Sequence, residues 1–235
     1  MSITVISVLA VAVFVSAFIQ GALGIGFALM LAPIVGILQP ELLPVMLLIL
    51  MLPLNAQVAW RERGAIDWPG FKWITVGRFA GTFAGLWLLA ALSVHQLDLA
   101  VGWFTVIAAA AALAVPPFTP NRPAAIGVGI FTGVTETATG IGGPPLALLY
   151  QHTGGPTLRA TVALCFLVGE VMSLSLLAIA GKITAGQLLA ALYLMPLVIV
   201  GTILSKVVHS RIGGKGMRIA VLIFALISGA YLIIR

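Results

Sequence analysis

The sequence predicts an all-α, polytopic membrane protein that forms one transmembrane domain over residues 1–235. Three observations support this fold class. The chain is 61% hydrophobic and only 8% charged, with a mean hydropathy of +1.20, whereas soluble domains are about 45–50% apolar and about 25% charged. Its apolar residues form segments close to the roughly 20 residues that cross a bilayer as helix. Two of these segments carry nearly the same glycine motif.

Eight apolar segments follow one another along the chain, separated by short polar loops. Most have the length of one membrane-spanning helix, and the first and fifth are longer. These two carry the glycine motifs, at residues 20–26 (QGALGIG) and 136–145 (ETATGIGGPP). The segments are residues 3–38, 42–60, 71–92, 99–115, 124–150, 158–180, 185–205 and 217–234.

Charge and motif content exclude several classes of protein. The net charge is +6, but the basic residues lie in short loops between apolar segments, as in cytoplasmic loops that face anionic lipid and not in a nucleic-acid-binding surface. The single cysteine, Cys165, excludes an intramolecular disulfide and a multi-cysteine metal site. Metalloprotease, nucleophile-elbow and phosphate-loop patterns are absent from the sequence. We therefore expect no enzyme, no cofactor, no metal and no nucleic-acid partner.

The two halves of the chain resemble each other, which predicts repeats over residues 1–117 and 118–235. A Pro-rich turn at residues 115–123 separates them. At an offset of 116 residues the glycine motifs coincide, and Pro40 coincides with Pro156. The matched motif positions are Ala22, Gly24, Ile25 and Gly26 with Ala138, Gly140, Ile141 and Gly142.

Loop charges favour one topology. If all eight segments cross the membrane, six basic residues lie on one side and five on the other, which sets no orientation. If the two motif-bearing segments instead enter and leave on the same side, the division is nine against two, as the positive-inside rule requires. Each repeat then has one re-entrant, broken segment and three transmembrane helices, and the repeats are inverted. A broken helix that crosses completely remains an alternative.

The glycine motifs predict breaks in the helix at membrane depth, where backbone opens only toward protein or a water-filled cavity. A helix that restarts after such a break presents unpaired N–H groups and a positive partial charge, which together attract an anion. Paired breaks in two repeats are typical of a transporter binding site. The alternative is that Gly-x-Gly only permits close helix packing. The expected binding residues are Gln20, Gly24, Gly26, Asn55, Thr139, Gly140, Gly142, Gly143 and Pro144.

Three ionisable residues lie inside apolar segments. Because a charge in the membrane is costly, such residues are candidates for a functional role. They are Glu136, Glu170 and Arg78. We expect one carboxyl group to carry a coupling proton or to fix a polar network, and the alternative is a purely structural Arg–carboxylate pair. Arg159 is a possible anion contact, although its position at a segment end also suits an interfacial charge.

The motifs also resemble those of the TauE/SafE family. The residues that carry the resemblance are 24–29 (GIGFAL) with Pro33, 139–145 (TGIGGPP) with Leu149 and Tyr150, and 158–161 (LRAT). The resemblance covers both halves. It implies export of sulfite, sulfoacetate or another organosulfur anion, whereas the residues alone indicate only a small anion.

These observations predict a multi-pass secondary transporter of the inner (plasma) membrane that works by alternating access around a midplane site. Its expected partners are a small anionic substrate, the lipid bilayer and a coupling proton, and a homodimer is left open. The other functions compatible with the sequence are an uncoupled anion channel and a membrane scaffold or assembly protein that does not transport.

Overall fold

The computed structural model describes residues 3–24, 26–114, 121–150, 153–212 and 215–234. Within these ranges the protein is helical and contains no strand. The Pro-rich turn that sequence analysis placed between the repeats falls largely at residues 115–120, outside the described residues. The helices are α1 (Ile3–Leu23), α2 (Phe27–Leu38), α3 (Val45–Arg61), α4 (Trp68–Ala91), α5 (Val94–Ala114), α6 (Arg122–Thr139), α7 (Gly143–Tyr150), α8 (Gly155–Ile179), α9 (Ala185–Ile212) and α10 (Lys215–Ile234).

Helix lengths suit a polytopic membrane protein, as the composition predicted. Five of the described helices are long and apolar enough to span a bilayer: Thr4–Leu23, Trp68–Ala91, His95–Ala114, Gly155–Ile179 and Ala185–Val207. Shorter apolar helices occupy Phe27–Leu38, Val45–Arg61 and Ile219–Ile234. The first span is α1, so the first part of the broken segment is itself of membrane-spanning length.

Both glycine motifs interrupt the helix, as predicted. Helix α1 ends at Leu23 and α2 begins at Phe27, while α6 ends at Thr139 and α7 begins at Gly143. Gly24, Gly26 and Gly140 have φ values of 83°, 125° and 80°, a backbone conformation that side chains with a Cβ rarely adopt. The glycines are therefore required for the chain to leave the helix at these two points.

Contacts between the two halves follow an exchange pattern. Helix α4 packs on α6 and α1 packs on α9; α3 packs on α8 and α5 on α10; α3 also contacts α9, and α4 also contacts α8. The helices α1 to α5 correspond in order to α6 to α10. If each helix is exchanged for its counterpart, every contact in this set becomes a contact of the same set. The most extensive contacts join a helix of the first five to one of the last five, while α1 also packs on α2 and α6 on α7 within their own halves.

The α4–α6 contact is close because glycines line it. An added Cβ at Gly77 or Gly81 would meet the carbonyl oxygens of Ile126 or Ile130, and one at Gly129 would meet that of Ile74. Small residues allow membrane helices to approach this closely. The contact matters for function because Arg78 lies beside Gly77 on α4, and Glu136 lies on α6.

The start of α4 contacts both the end of α7 and the start of α6. At the start of α4, Asp67 accepts a hydrogen bond from Tyr150 Oη at the end of α7, at 2.8 Å, and Arg122 at the start of α6 lies over the ring of Trp73. For the other broken pair, α1 and α2, the start of α9 makes the equivalent contacts. There the Gln187 amide donates to the Glu41 carbonyl just after α2, at 2.9 Å, and Gly186 lines a groove with Ile6 of α1.

Candidate functional site: a buried polar network between the helix breaks

Two amide side chains and one carboxyl group form a chain of hydrogen bonds in the protein interior. Gln20 Nε2 donates to Asn55 Oδ1 at 3.2 Å, and Asn55 Nδ2 donates to Glu170 Oε1 at 2.6 Å. All three side chains are at most 2% exposed. These residues come from α1, α3 and α8, so the chain of bonds connects the first helix break to the long helices of both halves. The structure thus brings together three of the residues that sequence analysis singled out.

A buried ion pair lies next to this chain. Arg78 Nη2 donates to Glu136 Oε2 at 2.6 Å, and both side chains are at most 1% exposed. The guanidinium also packs against the backbone of Gly169, the residue before Glu170, and lies 5.9 Å from the centre of the Phe166 ring. The Arg–carboxylate pair given above as the alternative is therefore present, and Arg78 pairs with Glu136 rather than with Glu170.

Several polar atoms of this ion pair and its surroundings have no partner in the described structure. They are Arg78 Nε and Nη1, Glu136 Oε1, Glu170 Oε2 and Thr132 Oγ1. A buried polar atom without a hydrogen bond costs about 1–3 kcal/mol, and more when the group is charged. Such atoms concentrated in one place indicate a site that accepts a ligand, a proton or water.

Each helix that restarts after a break faces an acceptor from the helix before it. At the start of α2, the Phe27 N–H donates to Gln20 Oε1 at 2.9 Å. At the start of α7, the Glu136 carboxylate lies against Gly142, where an added Cβ would overlap Glu136 Oε2. Gln20 and Glu136 are 116 residues apart, the repeat offset. Equivalent positions in the two halves therefore hold a neutral amide and a carboxylate.

The first glycines of the two motifs do not meet. Gly24 packs against Arg159, near the start of α8, whereas Gly140 packs against Leu47 and the Pro44 carbonyl, at the start of α3. Since Asn55 of α3 bonds Glu170 of α8 while Arg159 reaches Glu62 just after α3, these helices run in opposite directions. The start of α8, where Gly24 packs, and the start of α3, where Gly140 packs, therefore lie at opposite ends of this helix pair. The polar network occupies the space between them.

The remaining predicted binding residues lie around the breaks. Gly26 faces Ile19 and Val221, and Gly143 lies 3.7 Å from the Phe166 ring as measured from an ideal Cβ. Thr139 Oγ1 donates to the Thr135 carbonyl at 2.7 Å, so its hydroxyl proton is engaged within α6. Pro144 is the second residue of α7, and its side chain is outside the described part.

Arg159 binds a carboxylate rather than standing free. Its Nε donates to both carboxylate oxygens of Glu62, each at 3.0 Å. Arg61 also pairs with Glu62, at 3.0 Å, and donates to the Gly21 carbonyl at 3.3 Å. This partly buried cluster holds the end of α1 against the end of α3 and the start of α8, which fits the interfacial alternative for Arg159.

Sequence analysis missed the polar contacts that fix the α7 and α8 helices. Tyr150 donates to Asp67, and the Asp67 N–H donates to Thr161 Oγ1 at 2.9 Å. Asp67 also accepts from the Gly70 N–H as the cap of α4. An aspartate just before Trp68 and Pro69 is a recognisable helix-start signal. Only its contacts with the other half required the tertiary structure.

The family model described as "Sulfite exporter TauE/SafE" matches residues 8–232, nearly the whole chain. Comparison with curated proteins and comparison with solved structures each gave no significant match.

Proposed function

Because the chain belongs to the sulfite exporter TauE/SafE family, we propose that it is a secondary transporter that exports a small anion, most suitably a sulfur oxyanion or an organosulfonate, across the inner (plasma) membrane. The family is one of membrane transporters rather than enzymes. The site that binds the anion is the region between the helix breaks, where the polar network lies. Glu136 and Glu170 are its acidic groups and Arg78 is its basic group.

The observation that carries this proposal is the buried network itself. Five polar side chains, namely Gln20, Asn55, Arg78, Glu136 and Glu170, are at most 2% exposed in a chain that is 61% hydrophobic. Ionisable groups at such depth are expensive, and in membrane proteins they mark substrate or proton pathways. A scaffold protein has no need to bury an ion pair and a further carboxyl group between two helix breaks.

We further propose inverted repeats with re-entrant broken segments. Support comes from the exchange pattern of helix contacts and from the return of α7 to the start of α4 and of α2 to the start of α9. The opposite directions of α3 and α8, which correspond to each other under the exchange, also support inversion. Rocking of one five-helix unit against the other would then open the network first to one side of the membrane and next to the other.

Transport by purified protein in vesicles tests this function. Efflux of radiolabelled sulfite, thiosulfate, taurine and sulfoacetate is measured for the wild type and for Gly142→Leu. The leucine would overlap Glu136 Oε2 and come against Thr132, so transport should be lost while the protein still inserts. Gly127→Leu is the matched control, because Gly127 lies on the same broken segment with no atom within 4 Å of an added Cβ.

Three results separate this function from its alternatives. A transporter moves the anion against its electrochemical gradient when a proton gradient is imposed, whereas a channel only dissipates the anion gradient. A scaffold shows no flux with the wild type. Unchanged efflux in Gly142→Leu would show that the helix breaks take no part in the transport mechanism.

A further inference from the structure

A guanidinium and the residue just before a helix start both lie against one carboxylate oxygen. Arg78 donates to Glu136 Oε2 at 2.6 Å, and the backbone of Gly142, immediately before α7, lies against the same oxygen. A guanidinium and a helix start are the two groups that proteins most often use to hold oxyanions. Because Pro144 and Pro145 have no N–H, the free donors at this helix start belong to Gly142 and Gly143. A protein carboxylate thus occupies the place best suited to an external anion.

The other half of the molecule has the same geometry without the charge. At the equivalent helix start, the neutral Gln20 accepts from the Phe27 N–H and is itself held by Asn55. Gln20 therefore has no charge that an anion would replace, and it is fixed by a second hydrogen bond. Only the start of α7 combines a helix start, a guanidinium and an occupant that becomes neutral when it gains a proton.

We propose that the Glu136 carboxylate occupies the substrate's own site, and that the transported anion binds by displacing Glu136 from Arg78 while Glu136 takes up a proton. This inference rests on the proposed function and deepens it, since it assigns Arg78 as the residue that binds the anion. An oxygen of a sulfite, thiosulfate or sulfonate group replaces an oxygen of the carboxylate. The exchange needs little added room beside Arg78, because one oxyanion leaves as the other arrives.

The exchange conserves charge for a singly charged anion, and a doubly charged anion such as thiosulfate or sulfoacetate adds one negative charge to the site. Before it, the Arg78 cation is paired with the Glu136 anion. After it, Arg78 is paired with the substrate and Glu136 is neutral, so each anion bound brings one proton with it. The titratable groups facing this place are Arg78 from α4, Glu136 from α6, and Glu170 and Cys165 from α8. With both glutamates ionised the group carries one net negative charge, which repels an anion unless a proton is added.

Unpaired atoms at the ion pair fit this exchange. Arg78 Nε and Nη1 are buried without partners, so a substrate with three oxygens gains hydrogen bonds that the two-oxygen carboxylate does not make. The Phe166 ring, 5.9 Å from the guanidinium, covers one side of this place and limits access by water. Planar guanidinium groups bind such oxyanions with defined geometry, whereas a lysine acts as a point charge.

Anion-induced thermal stabilisation at pH 6 and pH 8 tests the exchange. Sulfoacetate and thiosulfate are used because each keeps its charge over this range. For the wild type, apparent affinity should fall by up to about tenfold per pH unit, as expected when one proton accompanies each anion. In Glu136→Gln the amide needs no proton to stay neutral, so affinity should fall much less between pH 6 and pH 8 than it does in the wild type.

The double variant Arg78→Gln/Glu136→Gln distinguishes anion binding from a structural role. It removes both charges together, so it should fold, whereas Arg78→Gln alone leaves a buried carboxylate unpaired. We expect the double variant to insert normally and to lose anion stabilisation and transport. Wild-type transport by the double variant would overturn the inference and make the pair structural.

The two proposals fail in different ways. Equal anion affinity of the wild type at pH 6 and pH 8 would overturn the exchange and leave the transport function standing. Neither stabilisation nor flux of the wild type with any of sulfite, thiosulfate, taurine and sulfoacetate would overturn the proposed function itself.

Discussion

Gly169 provides a direct test of how Arg78 is held. An alanine Cβ at this position would overlap Nη2, Cζ and Nε of the Arg78 guanidinium. The guanidinium must therefore move away from its present place, although it is 1% exposed and bonded to Glu136 at 2.6 Å. Gly169→Ala thus acts on the ion pair without changing either charged residue.

The expected cost follows from the burial of the pair. Breaking a buried ion pair costs about 3–5 kcal/mol, and a displaced guanidinium keeps part of the attraction, so we expect a loss of about 3 kcal/mol. At about 2–4 °C per kcal/mol for a chain of this size, the melting temperature should fall by about 6–12 °C. Transport should fall with it, because the guanidinium leaves its place beside Glu136.

Thermal unfolding of the purified protein in detergent measures the effect, and vesicle efflux measures the functional loss. Gly127→Ala is the control: its Cβ meets nothing within 4 Å, and alanine favours helix over glycine by up to about 1 kcal/mol. Arg78→Lys removes Nη2, the atom nearest the added Cβ, and leaves a more slender and flexible side chain that keeps a positive charge. Gly169→Ala/Arg78→Lys should therefore cost at least about 1 kcal/mol less than the sum of the single changes. A melting temperature of Gly169→Ala equal to that of the wild type, or strict additivity, would refute this reasoning.

Further predictions concern the hydrogen-bonded side chains. Asn55→Leu leaves Gln20 Nε2 and Glu170 Oε1 without partners, so thermal unfolding should show a loss of about 1–3 kcal/mol for each orphaned group; unchanged stability would mean that the bonds at 3.2 Å and 2.6 Å contribute nothing. Glu170→Gln removes one negative charge near Arg78, so transport should decline less at high pH, and an identical pH profile would leave Glu170 with a structural role. Thr137→Val should cost about 1 kcal/mol by breaking the 2.8 Å hydroxyl pair with Ser173, whereas Thr137→Val/Ser173→Ala should regain part of that loss and transport normally; a large transport defect in the double variant would contradict this.

Much of the fold follows from local properties of the sequence. Apolar length gives the long helices, and the glycines of residues 24–26 and 140–142 give the breaks, because a helix is a local structure and glycine alone adopts positive φ without strain. The buried polar residues Glu136, Glu170 and Arg78 are also identifiable from the sequence, since each lies deep in an apolar segment. The family resemblance named the class of transporter.

The partners of these residues were decided only by the tertiary structure. The sequence did not indicate that Arg78 would pair with Glu136, 58 positions away, or that Asn55 would reach Glu170, 115 positions away. It also placed Gly24 and Gly140 in one predicted binding site, whereas they lie at opposite ends of the α3–α8 pair. Hydropathy records how deep a residue lies but not how its helix is rotated, and rotation is set by close packing such as that of Gly77 and Gly81 against α6. The sequence therefore determined which polar groups lie deep in apolar segments, and the packing of the ten α-helices in the described residues decided which of these groups pair with one another.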